Sequence, residues 1–433
     1  MNRDELRTAA LDIFQHVMRA VDARVAVRRA ISIDGKTLRV FTDEFNLAER
    51  PIYVVGAGKA ALSMSLGLND VLGDRIERGV ISTTHAATNE SLPASHAVFY
   101  GGHPLPNQES LRAAEAAFEL LNEANLKRGF VIFLISGGAS AMIERPISGD
   151  ITLEDLQTAN RQLITCGATI AEINSVRRCF SAVKGGGLAT PLGDAEFITF
   201  IISDTNVGDA SSVGSGPTLP ADVDAPDPLQ VVESHDLIRT LPPSILQAIC
   251  GYKKADVRRA FSPFYIVLDN SVALEAAAER ASQMDLRAQL AIDIVEQPTD
   301  EGAVQLVNRA LESKMPGSVL ISGGEFSCAV SGNGRGGRNL ETVLRCAIRL
   351  GEVRPTTHTV VLSAGTDGID GSSFAAGAIA DETTVSRACE LEMDPNDFLA
   401  RSDSHAFFEA LGDLIVTGPT GTNVRDVRLV LSA

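Results

Sequence analysis

Basic residues are scarce in this chain. Lysine and arginine total 38 against 55 aspartate and glutamate residues, so the 433 residues carry a formal net charge of −17. A protein that covers nucleic acid or an anionic membrane needs a basic footprint on its surface. The charge balance therefore argues against both partners. We expect the individual basic residues to act at local sites instead.

Cysteines and long apolar runs are scarce as well. The six cysteines are scattered without a Cys-x-x-Cys pair, which disfavours a zinc site and a disulfide framework. No apolar run approaches the ~20 residues that a membrane-spanning helix needs. Residues 1–5 carry acids and lack the basic and then apolar pattern of a signal peptide. We therefore expect a cytoplasmic protein that handles small molecules, and the sequence leaves a homodimer open.

Three families of catalytic motif are missing. The chain has neither a Gly-x-Ser-x-Gly elbow nor the signature set of protein kinases. The glycine-rich segment 53–60 does not match a Walker A loop, because it departs from that pattern at Tyr53 and Ala60.

Short apolar runs that end in glycine or serine alternate with amphipathic segments, which is typical of βαβ units and a mostly parallel sheet. At roughly 150 residues per domain, the length predicts more than one core. We predict an α/β fold with two Rossmann-like domains, residues 1–250 and 251–433, mostly parallel sheets and an inter-domain cleft. The acidic, proline-containing stretch 217–243 marks the connection. The predicted strands are Ile52–Val55, Val80–Thr83, Phe130–Ile135, Phe197–Ile202, Tyr265–Leu268, Ser318–Ile321 and Thr359–Leu362.

Glycines and two arginines, Arg335 and Arg338, crowd the segment 332–338 just before a run with helical periodicity. Glycine lets backbone N–H groups approach a ligand closely, and a helix N-terminus adds partial positive charge. Arginine adds a planar fork that suits carboxylate or phosphate. The alternative is a flexible, solvated basic loop. We favour an anion site.

A second glycine motif, Gly56-x-Gly58, follows a predicted strand and resembles the dinucleotide fingerprint. A Rossmann site also needs an acid at the end of the next strand, and residues 81–84 supply none. Lys59 is the more informative residue, because it would place a cation where a phosphate can rest at a helix start. The alternative for Lys59 is an exposed surface lysine.

Carboxylates follow two other predicted strands, as Asp204 and as Asp367 with Asp370. Such a carboxylate can bind Mg²⁺ or accept a proton from a substrate hydroxyl. For Asp204 and Asp367 we favour this functional interpretation. For Asp370 we favour a turn or helix cap, as is common for aspartates flanked by glycine.

Two Ser-Gly-Gly turns, at 136–138 and 322–324, each end an apolar strand and belong at the edge of an α/β sheet where ligands bind. The polar segment 417–423 has a composition suited to ligand contacts, although it can also be a simple turn. His103, flanked by proline, stays outside the predicted catalytic set.

Taken together, the segments resemble the class of glycerate 2-kinases whose C-terminal half is the MOFRL domain, over nearly the whole chain. The motifs that carry the resemblance are 55–61, 102–107, 136–141, 184–189, 203–209, 214–218, 332–341, 363–368 and 417–424. The resemblance implies transfer of the γ-phosphoryl group of ATP to the 2-hydroxyl of D-glycerate, with Mg²⁺ as cofactor. Phosphoryl transfer mainly requires alignment of two oxygens and neutralisation of charge.

Under this hypothesis Lys59 steadies the moving phosphoryl group, and Arg335 or Arg338 grips the glycerate carboxylate or phosphate oxygens. Asp204 and Asp367 bind Mg²⁺ or orient the acceptor hydroxyl. The remaining contacts would come from Gly56, Gly58, Ser136, Gly137, Gly138, Ser140, Gly334, Gly336, Gly337, Arg338, Asn339, Thr366 and Asn423.

The chain departs from the family pattern in three places. Leu340 stands where glutamine is usual, Ala139 replaces a glycine, and Ser402 begins a Ser-Asp-Ser segment where Asn-Asp-Ser is usual. These differences affect substrate detail, so a related hydroxy acid stays open. The main rival function is a hydroxypyruvate reductase that uses a nicotinamide cofactor, and a third is a non-catalytic sugar-acid sensor.

Overall fold

The computed structural model describes residues 1–84, 91–206, 208–220, 224–253, 262–312 and 317–433, so Val207 of the motif 203–209 lies outside the described residues. The chain divides into two compact units. The N unit is Ala23–Leu268, and the C unit combines Met1–Asp22 with Asp269–Ala433. This division differs from the predicted boundary after residue 250. The predicted inter-domain cleft stays a prediction.

The N unit holds eight α-helices and nine strands in its described residues. The helices are α2 (Ala23–Ala30), α3 (Ala61–Leu72), α4 (Gln108–Leu126), α5 (Ala139–Met142), α6 (Leu153–Thr165), α7 (Ile170–Arg178), α8 (Pro228–Ser234) and α9 (Pro243–Gly251). The strands are β1 (Ile31–Asp34), β2 (Thr37–Val40), β3 (Asp43–Asn46), β4 (Ile52–Ala57), β5 (Ile76–Thr83), β6 (His96–Tyr100), β7 (Phe130–Ser136), β8 (Phe197–Ile202) and β9 (Phe264–Leu268).

Six of these strands form one sheet in the order β6-β5-β4-β7-β8-β9, and every pairing in it is parallel. This confirms the expected parallel sheet and five of the predicted strands. The order runs outward in both directions from β4 and β7, as in the Rossmann fold. Strands β1, β2 and β3 form a separate antiparallel sheet that the sequence analysis did not predict.

Helix starts in the N unit follow the expected capping chemistry. Asn107 accepts the backbone N–H of Ser110 at the start of α4, and Thr152 accepts that of Asp155 at the start of α6. Both pairs form reciprocal capping boxes, which satisfy N–H groups that a helix leaves open. The starts of α4 and α6 are therefore fixed by residues close to them in sequence.

The C unit begins with α1 (Arg3–Ala20). Its other helices are α10 (Asn270–Gln283), α11 (Thr299–Glu312), α12 (Arg338–Val353), α13 (Thr384–Glu390), α14 (Pro395–Ala400) and α15 (Ser404–Leu411). Its strands are β10 (Arg287–Leu290), β11 (Ser318–Ser322), β12 (Thr359–Gly365), β13 (Gly377–Asp381), β14 (Leu414–Ile415) and β15 (Asp426–Ser432). Helix α1 belongs to this unit because its apolar face packs on α10, β12 and β15.

The sheet of the C unit differs from the predicted parallel one. Its order is β10-β11-β15-β12-β13-β14, and among the described strands β10 and β11 pair in parallel while the other pairings are antiparallel. The last strand, β15, inserts between β11 and β12 and runs antiparallel to both. The C unit is thus an α/β unit with a mixed sheet, and the expected Rossmann-like arrangement is found in the N unit alone. Within the described parts of the chain, no helix has the length and apolar character needed to cross a membrane.

Candidate functional site

In the N unit, strand order reverses between the neighbouring strands β4 and β7. Open α/β sheets bind ligands outside the carboxyl ends of the strands at such a reversal point. The turn after β4 carries Gly58 and Lys59, and the turn after β7 carries Gly137 and Gly138. Both predicted motifs therefore meet where this fold is most suited to bind a ligand.

Backbone and hydroxyl hydrogen bonds join the two turns. The Lys59 N–H donates to the Gly137 carbonyl at 2.9 Å. The Ala60 N–H donates to Ser136 Oγ at 3.0 Å, so the hydroxyl of Ser136 is a structural acceptor. These bonds fix the start of α3 relative to the Ser-Gly-Gly turn.

Gly58 has no room for a side chain. Its φ of +122° is in the region that favours glycine, and an ideal Cβ would lie 2.3 Å from Ser136 Oγ. The second glycine of the fingerprint is thus required by the close approach of the two turns, with or without a nucleotide.

Lys59 and His103 both lie close to Gly138. An ideal Cβ on Gly138 would be 3.1 Å from His103 Cδ2 and 3.5 Å from Lys59 Cγ. The Lys59 side chain is half-buried and the His103 side chain is exposed. The structure therefore brings a cation and an imidazole to the same turn, a neighbourhood for His103 that the sequence did not reveal.

Behind this turn lies a buried ion pair that sequence reasoning missed. The Lys184 ammonium pairs with the Glu144 carboxylate, and both side chains are inaccessible to solvent. Lys184 Nζ also donates to the Ser140 carbonyl at 2.9 Å, while Ser181 Oγ donates to Glu144 at 2.5 Å. Burial lowers the pKa of Lys184, and the Glu144 charge opposes this shift. The pair anchors α5, directly after the Ser-Gly-Gly turn.

Ser140 also belongs to a group of hydrogen-bonded polar side chains. Its Oγ lies 3.0 Å from Ser215 Oγ, and Ser215 donates to Asn174 Oδ1 at 2.7 Å. Asp204 follows β8, the strand next to β7, and its side chain is half-buried. Lys59, the 136–138 turn and Asp204 therefore all follow the adjacent strands β4, β7 and β8.

The predicted anion loop of the C unit lies between β11 and α12, and α12 begins at Arg338 as expected. Its glycines serve close packing. An ideal Cβ would lie 2.4 Å from Asp403 Cβ at Gly334, 2.4 Å from Ser404 Oγ at Gly336 and 2.5 Å from the Asp370 carbonyl carbon at Gly337. Gly337 has an extended φ of −167°, so left-handed backbone is not the reason for this glycine.

Arg338 is engaged within the protein. Its guanidinium donates to both carboxylate oxygens of Asp426, at 2.6 and 3.0 Å, and lies 2.8 Å from Glu325. Burial alone would raise the pKa of Asp426, yet the Arg338 charge holds it below its usual value. The interactions place Arg338 as a structural anchor of the loop. The predicted role of Arg338 as a substrate contact is untested and stays a prediction.

Asp370 caps α12, as favoured from the sequence. Its carboxylate accepts the backbone N–H of Asn339 at 3.1 Å and that of Leu340 at 2.8 Å. Burial raises the pKa of Asp370 to about 7, although these two N–H donors act in the opposite direction. Asn339 also accepts from Ser363 Oγ at 2.6 Å and donates to Asp426 at 3.0 Å, so its side chain is internally bonded.

Arg335, in contrast, has an exposed side chain. Its backbone N–H donates to Asp403 Oδ1 at 3.0 Å, and its carbonyl accepts the backbone N–H of His405 at 2.9 Å. Ser402 Oγ accepts the N–H of Ser331 at 2.9 Å. The Ser-Asp-Ser segment, one of the three departures from the family pattern, therefore holds the arginine loop. Leu340 is fully buried in an apolar cluster.

The third predicted cluster surrounds the end of β12. Thr366 Oγ1 donates to the Arg425 carbonyl at 2.7 Å and accepts the Val424 N–H at 2.9 Å, so it is a structural residue here. The Asp367 carboxylate is half-buried and accepts the Ile369 N–H at 3.2 Å. Asn423 is buried, and its Oδ1 accepts the Arg425 N–H at 3.2 Å.

The two candidate metal ligands, Asp204 and Asp367, belong to different compact units. No group of three or more His, Cys, Asp or Glu side chains within the described ranges could hold a metal ion. Mg²⁺ is commonly bound by one or two carboxylates together with substrate phosphates and water. Half-buried single carboxylates fit this mode, and they do not fit a metal cage built from protein alone.

Several residues of both sites escaped sequence reasoning. Asp426 and Arg428 are buried at 0% and 1% exposure within the apolar strand β15. Both charged residues interrupt an apolar run in the sequence, and this interruption could have indicated them, since buried charges require partners. His405 follows the Ser-Asp-Ser segment, and nothing in its local sequence announces its contact with Arg335.

Comparison with known proteins places these observations in a wider context. Residues 9–250 match the family described as domain of unknown function (DUF4147), and residues 318–426 match the MOFRL family. The chain is 30% identical to a protein of Pyrococcus horikoshii named glycerate 2-kinase, over 99% of this chain and 97% of that one. It is 34% identical to an Agrobacterium vitis protein provisionally named hydroxypyruvate reductase, over 89% of each.

A solved structure is also similar. The crystal structure of a glycerate kinase from Thermotoga maritima matches with a TM-score of 0.82 and 28% identity, over 99% of this chain and 100% of that one. The likeness therefore spans both units.

Proposed function

Because the chain belongs to the glycerate kinase family that combines a DUF4147 domain with a MOFRL domain, we propose that it is an ATP-dependent glycerate 2-kinase. The observation that carries the proposal is the reversal point of the N unit, where Lys59 lies beside the Ser-Gly-Gly turn. Phosphoryl transfer needs a cation and positioned donors around the moving group. This turn supplies both.

In the proposed reaction, the 2-hydroxyl oxygen of D-glycerate attacks the γ-phosphorus of ATP, and the bond to the β-phosphate oxygen breaks. The products are 2-phosphoglycerate and ADP. Lys59 stabilises the negative charge of the transferring group, as expected for a lysine at the reversal point. A carboxylate, Asp204 or Asp367, accepts the proton that the hydroxyl loses or orients that hydroxyl.

The arginine loop supplies the anion contact. Arg335 is exposed and held by its backbone, whereas Arg338 is engaged by Asp426 and Glu325. This difference favours Arg335 as the residue that binds a carboxylate or phosphate group of the substrates. Asp204 or Asp367, together with substrate phosphates, would hold Mg²⁺. The bound ion would neutralise phosphate charge.

A hydroxypyruvate reductase is the second candidate, because the Agrobacterium vitis relative carries that provisional name. The N unit also has the Rossmann strand order. However, β5 ends in Ser82 and Thr83, and residues 81–84 include no acid at the strand end that could bind a ribose hydroxyl of a nicotinamide cofactor.

The two candidates are separated by their cosubstrates. We expect the purified protein to form ADP only when ATP, Mg²⁺ and D-glycerate are all present, and to leave NADH unchanged with hydroxypyruvate. Oxidation of NADH by hydroxypyruvate, with ATP unconsumed, would favour the reductase instead.

A further inference from the structure

His405, near the start of α15, lies between the exposed arginine loop and the core of the C unit. Its side chain is 2% exposed. His405 Nε2 is 3.0 Å from Arg335 Nη2, and His405 Nδ1 is 2.8 Å from Ser373 Oγ. The imidazole therefore bridges the functional arginine and a buried hydroxyl.

The chemistry of its partners fixes the protonation of this imidazole. A guanidinium can only donate hydrogen bonds, so His405 Nε2 must accept the bond from Arg335. The single proton of a neutral imidazole is then on Nδ1, where it donates to Ser373 Oγ. Ser373 Oγ also accepts the Ala375 N–H at 2.9 Å, which holds the hydroxyl in place.

Aromatic packing restrains the same group. The rings of His405 and Phe374 meet edge to face, with centroids 4.8 Å apart and an angle of 74° between the planes. The Arg335 guanidinium carbon lies 5.6 Å from the centroid of the Phe374 ring. The hydrogen bond to His405 and the ring of Phe374 thus both restrain the orientation of the Arg335 guanidinium.

The charged groups that face His405 are Arg335 in the loop, Asp403 before α15 and Glu409 within it. Glu409 is 3.7 Å from Nε2. Burial and then the Arg335 charge lower the pKa of His405, and the two carboxylates oppose this effect. The direction of this pKa shift agrees with the neutral imidazole that the hydrogen-bond geometry requires.

We propose that neutral His405 is a positioning residue that aims the Arg335 guanidinium for anion binding. The role of Arg335 rests on the proposed function, whereas the state of His405 does not. Protonation of His405 would convert its Nε2 from an acceptor into an N–H donor that faces the Arg335 guanidinium. Arg335 would then lose its restraint, so anion affinity should fall as the pH drops below the midpoint of His405.

The first test is independent of activity. In protein labelled with ¹⁵N-histidine, we expect His405 to show the Nδ1–H tautomer at pH 7 and a protonation midpoint below its ordinary value of 6.5. The signal is assigned by its loss in H405Q. The R335M variant should raise the midpoint, because it removes the neighbouring cation. An Nε2–H tautomer, or a midpoint unchanged by R335M, would overturn the proposal.

The second test uses kinetics with ATP and D-glycerate. We expect R335M to raise the KM of one anionic substrate, and H405F to raise the KM of that same substrate by about tenfold, with kcat little changed. H405F keeps a flat ring against Phe374 and removes both hydrogen bonds. H405Q, whose amide oxygen can still accept from Arg335, should recover most of the affinity.

A double-mutant cycle separates positioning from general support of the fold. If His405 acts through Arg335, the R335M/H405F double variant should bind no more weakly than R335M. Additive losses in the double variant would contradict the proposal. Where H405F does not fold, S373A, which removes the acceptor of Nδ1–H, takes its place in the same cycle.

The two hypotheses fail in different ways. Absence of ADP formation by the wild-type protein would reject the proposed kinase, and the tautomer and midpoint of His405 would still decide the positioning claim. Normal ADP formation with R335M showing no KM change would reject the role of Arg335 in anion binding.

Discussion

The two glycine turns of the N unit are joined mainly through backbone groups, whereas the start of α12 in the C unit is held mainly by charged side chains. Around β4 and β7, two glycine turns are joined by the Lys59 N–H and the Ser136 hydroxyl, with one cation beside them. Around α12, an arginine is bound to Asp426 and Glu325, and a buried carboxylate caps the helix. The turns after β4 and β7 depend on the close approach of two backbone segments, and the surroundings of α12 depend on the pairing of opposite charges.

This contrast explains why the two sites should respond to different substitutions. In the glycine turns of the N unit, one added methyl group at Gly58 disturbs the geometry, and the hydrogen bonds that join the turns come mainly from backbone groups, which mutation does not remove. At the start of α12, removal of the Arg338 charge leaves its buried partner without compensation.

The largest effect is expected for G58A. A Cβ at Gly58 would lie 2.3 Å from Ser136 Oγ and 2.5 Å from the Ser136 carbonyl oxygen, and φ is +122°. We expect a loss of about 3 kcal/mol or more in the free energy of unfolding, measured in urea, with turnover largely abolished. The matched control is G35A, because Gly35 also has positive φ, +56°, but has open space around it. Equal losses in both variants would contradict the claim of close approach.

R338M should be the next most damaging change. It leaves the Asp426 carboxylate, which is 0% exposed, without its bidentate partner. We expect a loss of about 3 kcal/mol in the free energy of unfolding, and partial recovery in R338M/D426N, which removes the stranded charge. R335M is the control, since an exposed arginine should change stability by no more than about 0.5 kcal/mol. Similar stability losses for the two arginines would remove the distinction between them.

K59M tests the N unit in the opposite sense. We expect the variant to fold and its kcat to fall by about 10²-fold, because the lysine stabilises charge in the transition state. K36M is the control, since Lys36 is an exposed lysine in the same unit with 62% of its side chain accessible. Near-normal turnover in K59M would remove Lys59 from the mechanism.

The smallest expected change per measured step is a pH dependence of stability, at about 1.4 kcal/mol or less for each pH unit. The pKa of Asp370 is about 7 in the folded protein against an ordinary value of 3.8, so protonation favours the folded state. This contribution is complete below the ordinary pKa and is lost as the pH rises through the folded one.

We therefore expect the free energy of unfolding of the wild type, relative to that of D370N, to fall as the pH rises from the ordinary pKa of 3.8 to the folded pKa of about 7. The fall should be at most about 1.4 kcal/mol per pH unit. Urea unfolding at several pH values measures the difference. A difference that is flat with pH would show that Asp370 keeps an ordinary pKa.

The sequence predicted the N unit better than the C unit for a physical reason. A parallel strand buried on both faces reads as a continuous apolar run, and four of the N unit's five predicted strands are of this kind. The fifth, in β9, lies at the edge of the sheet and is partly exposed. In the C unit, β15 carries Asp426 and Arg428 inside the sheet, so its apolar run is broken. Its insertion between β11 and β12 joins segments far apart in the chain, and local patterns carry no signal for such a pairing.

Site residues divide in the same way. Gly58, Lys59 and the 136–138 turn could be found, because strand ends and glycines are local signals. The partners of Arg338 and Arg335 could not, since Asp426 and His405 are 88 and 70 positions away from them in sequence. The sequence therefore identified both arginines without distinguishing the anchor from the exposed residue.

Phosphorus NMR of the protein incubated with ATP, Mg²⁺ and D-glycerate, read against authentic 2- and 3-phosphoglycerate, tests the proposed kinase. We expect a 2-phosphoglycerate resonance that appears as ATP is converted to ADP. A 3-phosphoglycerate resonance would contradict the assigned position of transfer, and unconsumed ATP would contradict the kinase itself.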